Sequence, residues 1–211
     1  MHRFLFFILF SLSVVGAEAQ VFSVQHVPDS VFLRMQGRSW PKGCCSVRRT
    51  DLRYLRLSHV DAEGVEHVGE MVCNKAIAND LLAIFRELYR QKYPIQRIRL
   101  IDDYEANDER SMRDNNSSCF CYRKVSGTTK LSKHATGMAV DINTLYNPYV
   151  HTGKDERRIV EPATATKYVD RRQSFPYKIV KGDLLHRLFL QHGFKWGGSW
   201  RTMKDWQHFE K

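Results

Sequence analysis

Between Asn74 and Tyr93, apolar residues recur at Ile77, Leu81, Leu82, Ile84, Phe85, Leu88 and Tyr89. That spacing, close to about 3.6 residues, predicts one buried amphipathic helix, and Pro94 ends it. Asp183 to His192 repeats the pattern with Leu184, Leu185, Leu188 and Phe189 and predicts a second helix. In Ile95 to Ile101, Ile and Leu alternate with Arg and Gln, which reads as a half-buried strand, and Met138 to Ile142 is a second candidate strand. Residues 20 to 70 are mixed and turn-rich, with Pro41-Lys42-Gly43 and an expected hairpin from Leu52 to Val68 around Asp61-Ala62-Glu63-Gly64. Asn143 to Lys181 is polar and aromatic-rich with little periodicity, while Gly193 to Phe209 is rich in tryptophan, glycine and histidine. No internal repeat interrupts the chain.

The first residues follow a different logic. A basic start, Met1-His2-Arg3, precedes an apolar run from Phe4 to Leu12 and then Ala17-Glu18-Ala19, the pattern of a secretory signal peptide cut after Ala19. The apolar run is shorter than the roughly 20 residues that span a bilayer. The expected mature chain, 20–211, suits one domain, with 20–70 as an N-terminal extension and 71–211 as a catalytic core. Secretion or a periplasmic location follows from that leader. The 33 Lys and Arg against 23 Asp and Glu leave a net charge of +10, which favours anionic wall polymers or membrane surfaces at least as much as nucleic acid, or serves solubility alone. Cys44, Cys45, Cys73, Cys119 and Cys121 lack the paired spacing of a structural zinc cluster. An oxidising compartment would turn them into one or two bridges of unassigned pairing, and the odd count leaves at least one thiol unpaired unless it bonds another chain.

Two short segments carry the candidate chemistry. Ser132-Lys133-His134-Ala135-Thr136-Gly137-Met138-Ala139-Val140-Asp141 places a histidine and an aspartate seven apart, joined by a glycine that permits a tight turn. Asp205-Trp206-Gln207-His208-Phe209-Glu210 adds a second histidine with a carboxylate three residues before it. Two neutral imidazoles and one carboxylate make a three-ligand zinc site with an open fourth position. Such a site keeps net positive charge, lowers the pKa of a water there toward about 7 and polarises a carbonyl. Taken singly, each residue has a duller explanation: a histidine is more often surface or core, and an Asp three before a His often only caps a turn.

The combination Ser132-x-His134-x-x-Gly137-x-Ala139-x-Asp141, Asp141-Ile142-Asn143, Asn147-Pro148-Tyr149, Gly193-Phe194-x-Trp196-Gly197-Gly198-x-Trp200 and Asp205-x-x-His208-Phe209 resembles the zinc D-alanyl-D-alanine carboxypeptidases and L-alanyl-D-glutamate endopeptidases, whose fold is shared with the Hedgehog signalling domain. The likeness is strong from Cys119 to Glu210 and weaker back to residue 77. It implies His134, Asp141 and His208 as ligands of one zinc per chain and Asp205 as general base. It further implies Arg123 as the group that meets the substrate carbonyl or carboxylate, with Ser132 either contacting substrate or merely starting the turn. A fixed guanidinium beside a metal stabilises charge where it develops. The implied substrates are peptidoglycan stem peptides. The architecture expected is α+β, a small, mainly antiparallel sheet flanked by helices, with the metal in an open cleft.

Trp196 and Trp200 are expected to frame the segment that delivers Asp205 and His208, with Gly197 and Gly198 allowing close backbone approach. Lys154, Arg157, Arg158, Arg171 and Arg172 are read as a cleft rim for acidic peptides or as a solvated loop. Three rivals remain: a catalytically silent zinc-containing cell-wall binding module, a basic extracellular nuclease around a hard metal, and a Cys–His nucleophilic enzyme. Asp205 and Arg123 argue against the first, motif order against the second, and cysteines expected in bridges against the third. Which stem-peptide bond is cut depends on loops that the sequence does not place.

Overall fold

The computed structural model describes residues 20–42, 46–125, 128–153 and 155–211. The expected leader, Cys44, Cys45 and Lys154 lie outside the described residues. No helix among the described residues is long and apolar enough to cross a membrane.

The fold is α+β. Strand β1 (Phe22–His26) pairs with β2 (Leu52–Val60), which pairs with β3 (Glu66–Asn74), all antiparallel. The β2–β3 hairpin turns at Asp61 to Val65, where Asp61 Oδ1 accepts from the backbone of Glu63 and Val65. Its turn falls where the Asp-Ala-Glu-Gly signal placed it. A short helix, α1 (Asp29–Met35), sits between β1 and β2 and buries Val31 and Met35. About two turns are too short to stand out as a periodic pattern.

Helix α2 (Ala78–Arg90) realises the strongest periodic signal and buries Ala78, Leu81, Ile84, Phe85 and Leu88 against β2. Next come β4 (Arg97–Ile98), α3 (Asp108–Arg113) and β5 (Asn116–Ser117), with β4 and β5 paired in parallel. Thus only two residues of the expected 95–101 strand pair. Strand β6 (Ala139–Asp141) falls inside the expected Met138 to Ile142 segment. The stretch without periodicity holds two further strands, β7 (Tyr149–Thr152) and β8 (Arg158–Glu161), and a 3-10 turn at Ala163–Tyr168. Helix α4 (Leu184–Gln191) starts where Asp183 Oδ1 accepts from His186 N. Three short strands close the chain: β9 (Lys195–Trp196), β10 (Lys204–Asp205) and β11 (His208–Glu210).

The antiparallel strands are divided among three separate three-stranded sheets, β1-β2-β3, β10-β7-β8 and β6-β11-β9. One apolar cluster fastens two of them together. Leu55 and Leu57 of β2, Met71 and Cys73 of β3, and the buried face of α2 meet Val140, Phe189, Trp196 and Phe209. A second cluster, with Met35, Leu52, Tyr54, Val72, Leu100 and Phe120, fills the other face of the hairpin.

Cys73, Cys119 and Cys121 are free and buried, so the expected bridges are not found among the described residues. All three thiols are pushed up by burial, which suits inert core positions.

Full burial of an aromatic or aliphatic side chain contributes about 1.5–3 kcal/mol, and truncating it adds a cavity cost. Phe85→Ala, at a site 1% exposed, is expected to lower unfolding free energy by about 3–5 kcal/mol. Urea denaturation checks this, and a loss below about 1 kcal/mol would mean that α2 does not anchor the core.

Candidate metal centre

The site begins with a turn. Ser132 Oγ accepts from His134 N at 3.2 Å and starts the 3-10 turn Lys133–Thr136. Gly137 ends that turn at φ 68°, where a side chain would be strained, and an added Cβ would lie 2.7 Å from Asn74 N. Its carbonyl instead accepts from Asn74 N, tying the turn to the end of β3. The chain then enters β6, whose last residue, Asp141, faces His208 directly across the antiparallel β6–β11 ladder. Two candidate ligands are thereby set side by side by sheet register. His134 reaches them from the turn.

His134 Nε2 lies 3.1 Å from Asp141 Oδ2 and 3.2 Å from His208 Nδ1, while His208 Nδ1 lies 2.9 Å from Asp141 Oδ1. The outer nitrogens are also engaged. His134 Nδ1 donates to the Cys119 carbonyl at 2.6 Å, and His208 Nε2 lies 3.4 Å from Glu210 Oε2. These outer contacts set the tautomers so that one nitrogen of each ring turns inward.

The three groups each offer one ligand atom within 4.8 Å of the others, a cluster that could hold a metal ion. In a tetrahedral site with bonds of about 2.0–2.1 Å, ligand atoms sit about 3.3 Å apart. The observed separations are close to that. Two nitrogens and one carboxylate oxygen also fit a borderline metal better than a hard, oxygen-seeking one.

Without metal, a proton takes over part of this role. Burial would lower His208, but Asp141, Glu210 and Asp205 outweigh it and push the imidazole up to about 10. Burial likewise opposes ionisation of Asp141, yet His134 and His208 hold its carboxyl far below the usual range. The metal-free pair is an imidazolium facing a carboxylate.

Asp205 stands beside this cluster on β10, and its neighbour Gly197 explains how. A Cβ on Gly197 would lie 2.7 Å from Asp205 O, 2.8 Å from Asp205 Cβ and 3.3 Å from His208 Cβ. Only a bare backbone fits there. Burial chiefly, with Asp141 adding and His208 opposing, raises the Asp205 carboxyl to about 7. Its Oδ1 is buried without a hydrogen-bond partner. Trp200 packs at 5.4 Å from the His208 ring, and Trp196 donates from Nε1 to the Trp206 carbonyl at 2.9 Å.

Arg123 enters from the segment before the turn. Its guanidinium lies near enough to Asp141 and Asp205 to feel both charges, and it makes a 2.5 Å ion pair through Nε with Asp108 Oδ2. Asp108, the first residue of α3, went unrecognised in the sequence because an acid at a helix start reads as a capping residue. Glu210 was seen only as part of a motif.

The expected cationic rim disperses. Arg171 points inward, donating to the carbonyls of Tyr146 and Ile179 and to Asn147 Oδ1 at 2.7–2.9 Å, with its charge over the Trp206 ring at 4.9 Å. Arg172 pairs with Asp170, and Arg157 with Asp155, both at the surface. Arg158 is exposed.

Residues 126–211 match the family model for D-alanyl-D-alanine carboxypeptidase. The part of the chain that carries the cluster is therefore similar to peptidases of that type, while the match leaves the first 125 residues, Arg123 and Asp108 among them, outside it. No curated protein matches the chain, and no solved structure does.

Because His208 carries a proton in the metal-free state and Asp205 is then only partly ionised, binding a divalent metal at pH 7 is expected to release about one to one and a half protons, with affinity rising as pH rises. Calorimetric titration in buffers of different ionisation enthalpy measures this. Heats independent of buffer would show that His208 is already neutral.

Proposed function

We propose that the protein is a secreted zinc peptidase that hydrolyses D-amino-acid peptide bonds in peptidoglycan stem peptides, as a D-Ala-D-Ala carboxypeptidase or an L-Ala-D-Glu endopeptidase. The observation that carries this reading is the meeting of His134, Asp141 and His208 with a buried, partnerless Asp205 oxygen, inside the stretch similar to D-alanyl-D-alanine carboxypeptidases. Export rests on the leader pattern of residues 1–19, with Gln20 as the mature start. Positive charge on the mature chain suits a wall of anionic polymers.

In this reading His134, Asp141 and His208 hold one zinc. Zinc there would polarise the scissile carbonyl and acidify an attacking water. Asp205 takes the proton from that water and returns it to the leaving amine, a role suited to a carboxyl that burial pushes above the usual carboxylate range. Arg123 directs its guanidinium at the carbonyl or at a terminal carboxylate of the substrate. Ser132 holds the ligand turn and would touch substrate only if that turn forms the cleft wall. No covalent intermediate is needed.

Asp205→Asn keeps size and shape but removes the base. Hydrolysis of defined muropeptides, followed by mass spectrometry, is expected to fall by about a hundred- to ten-thousandfold while zinc content stays near one per chain. Asp141→Asn is expected instead to empty the metal site, since a neutral amide is a poor ligand. Parent-rate turnover by Asp205→Asn would sink the general-base assignment, and chelator-resistant hydrolysis by the parent would sink the metal.

The pH profile gives a second check. The ionised, base-competent form of Asp205 exists above its pKa, which is raised to about 7 without metal and pulled lower by a nearby divalent charge. kcat/KM is therefore expected to fall as pH drops, with its acid limb at about 7 or below. The limb should vanish in Asp205→Asn, and a limb unchanged there would belong to another group.

A further inference from the structure

The ion pair between Arg123 and Asp108 is made at the Nε edge of the guanidinium. Asp108 Oδ2 meets Nε at 2.5 Å, although that N–H is not aligned for a hydrogen bond, so charge rather than hydrogen-bond geometry holds the contact. Arginine carries its donors in a rigid planar fork. An ion pair at the Nε edge restrains the side chain while the Nη donors remain for another partner.

Asp108 is itself well placed to hold still. Asn107 accepts from Arg110 N and caps α3, while the next residue, Glu109, accepts from Ala163 N and pairs with Arg113. Farther along, the Met112 carbonyl accepts from Thr144 Oγ1, and Gln207 Nε2, one residue before His208, contacts Met112 Sδ at 3.5 Å. Helix α3 is thus pinned to the β10–β11 connection and to the 143–168 loop. Both side chains are about one-third exposed, while the Nε edge that meets Asp108 is buried.

We infer that Asp108 is a positioning residue that clamps Arg123 by its Nε edge and presents the Nη fork to a carboxylate or carbonyl oxygen of the substrate. A planar fork held in this way matches the two oxygens of a carboxylate, which favours substrates with a free C-terminal carboxylate over internal peptide bonds. The inference rests on the peptidase reading for its substrate. Its core, the coupling of Asp108 to Arg123, can be tested separately.

Asp108→Asn is the variant of choice because it keeps volume and removes only the charge, with Asp108→Ala as a second. In zinc-loaded protein, kcat/KM on a D-Ala-D-Ala-terminated muropeptide should fall by about ten- to a hundredfold. That is less than the hundred- to thousandfold typical of losing an oxyanion donor outright. Zinc content and melting temperature should stay at the parent's values. Calorimetric affinity for N-acetyl-D-alanine, a carboxylate probe that is not cleaved, should weaken in Asp108→Asn and in Arg123→Ala. In the Asp108→Asn/Arg123→Ala double variant the loss should equal that of Arg123→Ala alone, since Asp108 acts only through Arg123. Parent-like affinity and turnover in Asp108→Asn, or losses that multiply in the double variant, would overturn the inference. If the parent binds N-acetyl-D-alanine yet cleaves no muropeptide, the peptidase reading falls, while the affinity cycle still decides whether Asp108 works through Arg123.

Discussion

The candidate centre depends on one register, the antiparallel pairing of β6 with β11 that sets Asp141 opposite His208. Side chains on a strand alternate with a period of two, so a slip of one residue would send one of the two groups to the opposite face. The register is held from both sides. Phe209, next to His208, is fully buried against Phe189, and Val140, next to Asp141, is fully buried in the same cluster. Apolar burial on one face of β6 and β11 thus determines which polar groups meet on the other. The core hydrophobes and the site are two readings of a single alternation.

Around that ladder, backbone contacts do the fitting. Gly137 lets the His134 turn lie against β3, and Gly197 lets the 3-10 turn after β9 lie against Asp205 and His208. Asn147 bridges three segments, donating to the carbonyls of Asn143 and Tyr177 and accepting from Ile179 N and Arg171. Arg171 ties the same loop to Trp206, which immediately follows β10. Outside the β7–β8 ladder, the 143–180 segment is therefore held by buried amides and a guanidinium that satisfy its carbonyls. Those groups must be bonded because an unpaired buried carbonyl costs free energy comparable to a lost hydrogen bond.

This difference explains what could be read from the chain. Helices α2 and α4 stood out because each buries a full stripe, and the hairpin because its turn carries Asp61 and Gly64 at the bend. His134, Asp141, Asp205 and His208 were visible through spacing and family likeness, and the structure brings them together with Arg123. Strands β7 and β8 were hidden because one is buried at only one position and the other at none, so no period-two pattern marks them. The inward turn of Arg171 and the pairing of Asp108 with Arg123 are tertiary facts. Fifteen residues of sequence separate Asp108 from its partner, and nothing local distinguishes it from a helix-capping acid. Among the described residues the cysteines depart from the expectation for a related reason: compartment argues for bridges, whereas Cys73 and Cys119 occupy apolar core positions where a thiol behaves as a small hydrophobe.

The charges at the centre also explain why a cation suits it. Asp108, Asp141 and Asp205 gather three carboxyls near a single guanidinium, and in the metal-free protein His208 retains a proton to offset them. Even so, Asp205 cannot ionise freely, because burial and the charge of Asp141 both oppose it. Exchanging the His208 proton for a divalent ion adds one net positive charge at short range, where the low local dielectric magnifies its effect. That added charge stabilises the anionic form of Asp205. In the proposed peptidase, loading the site and freeing the base are thus coupled through a shared electrostatic balance, and the metal-free protein would lack both the Lewis acid and a fully ionised base at neutral pH.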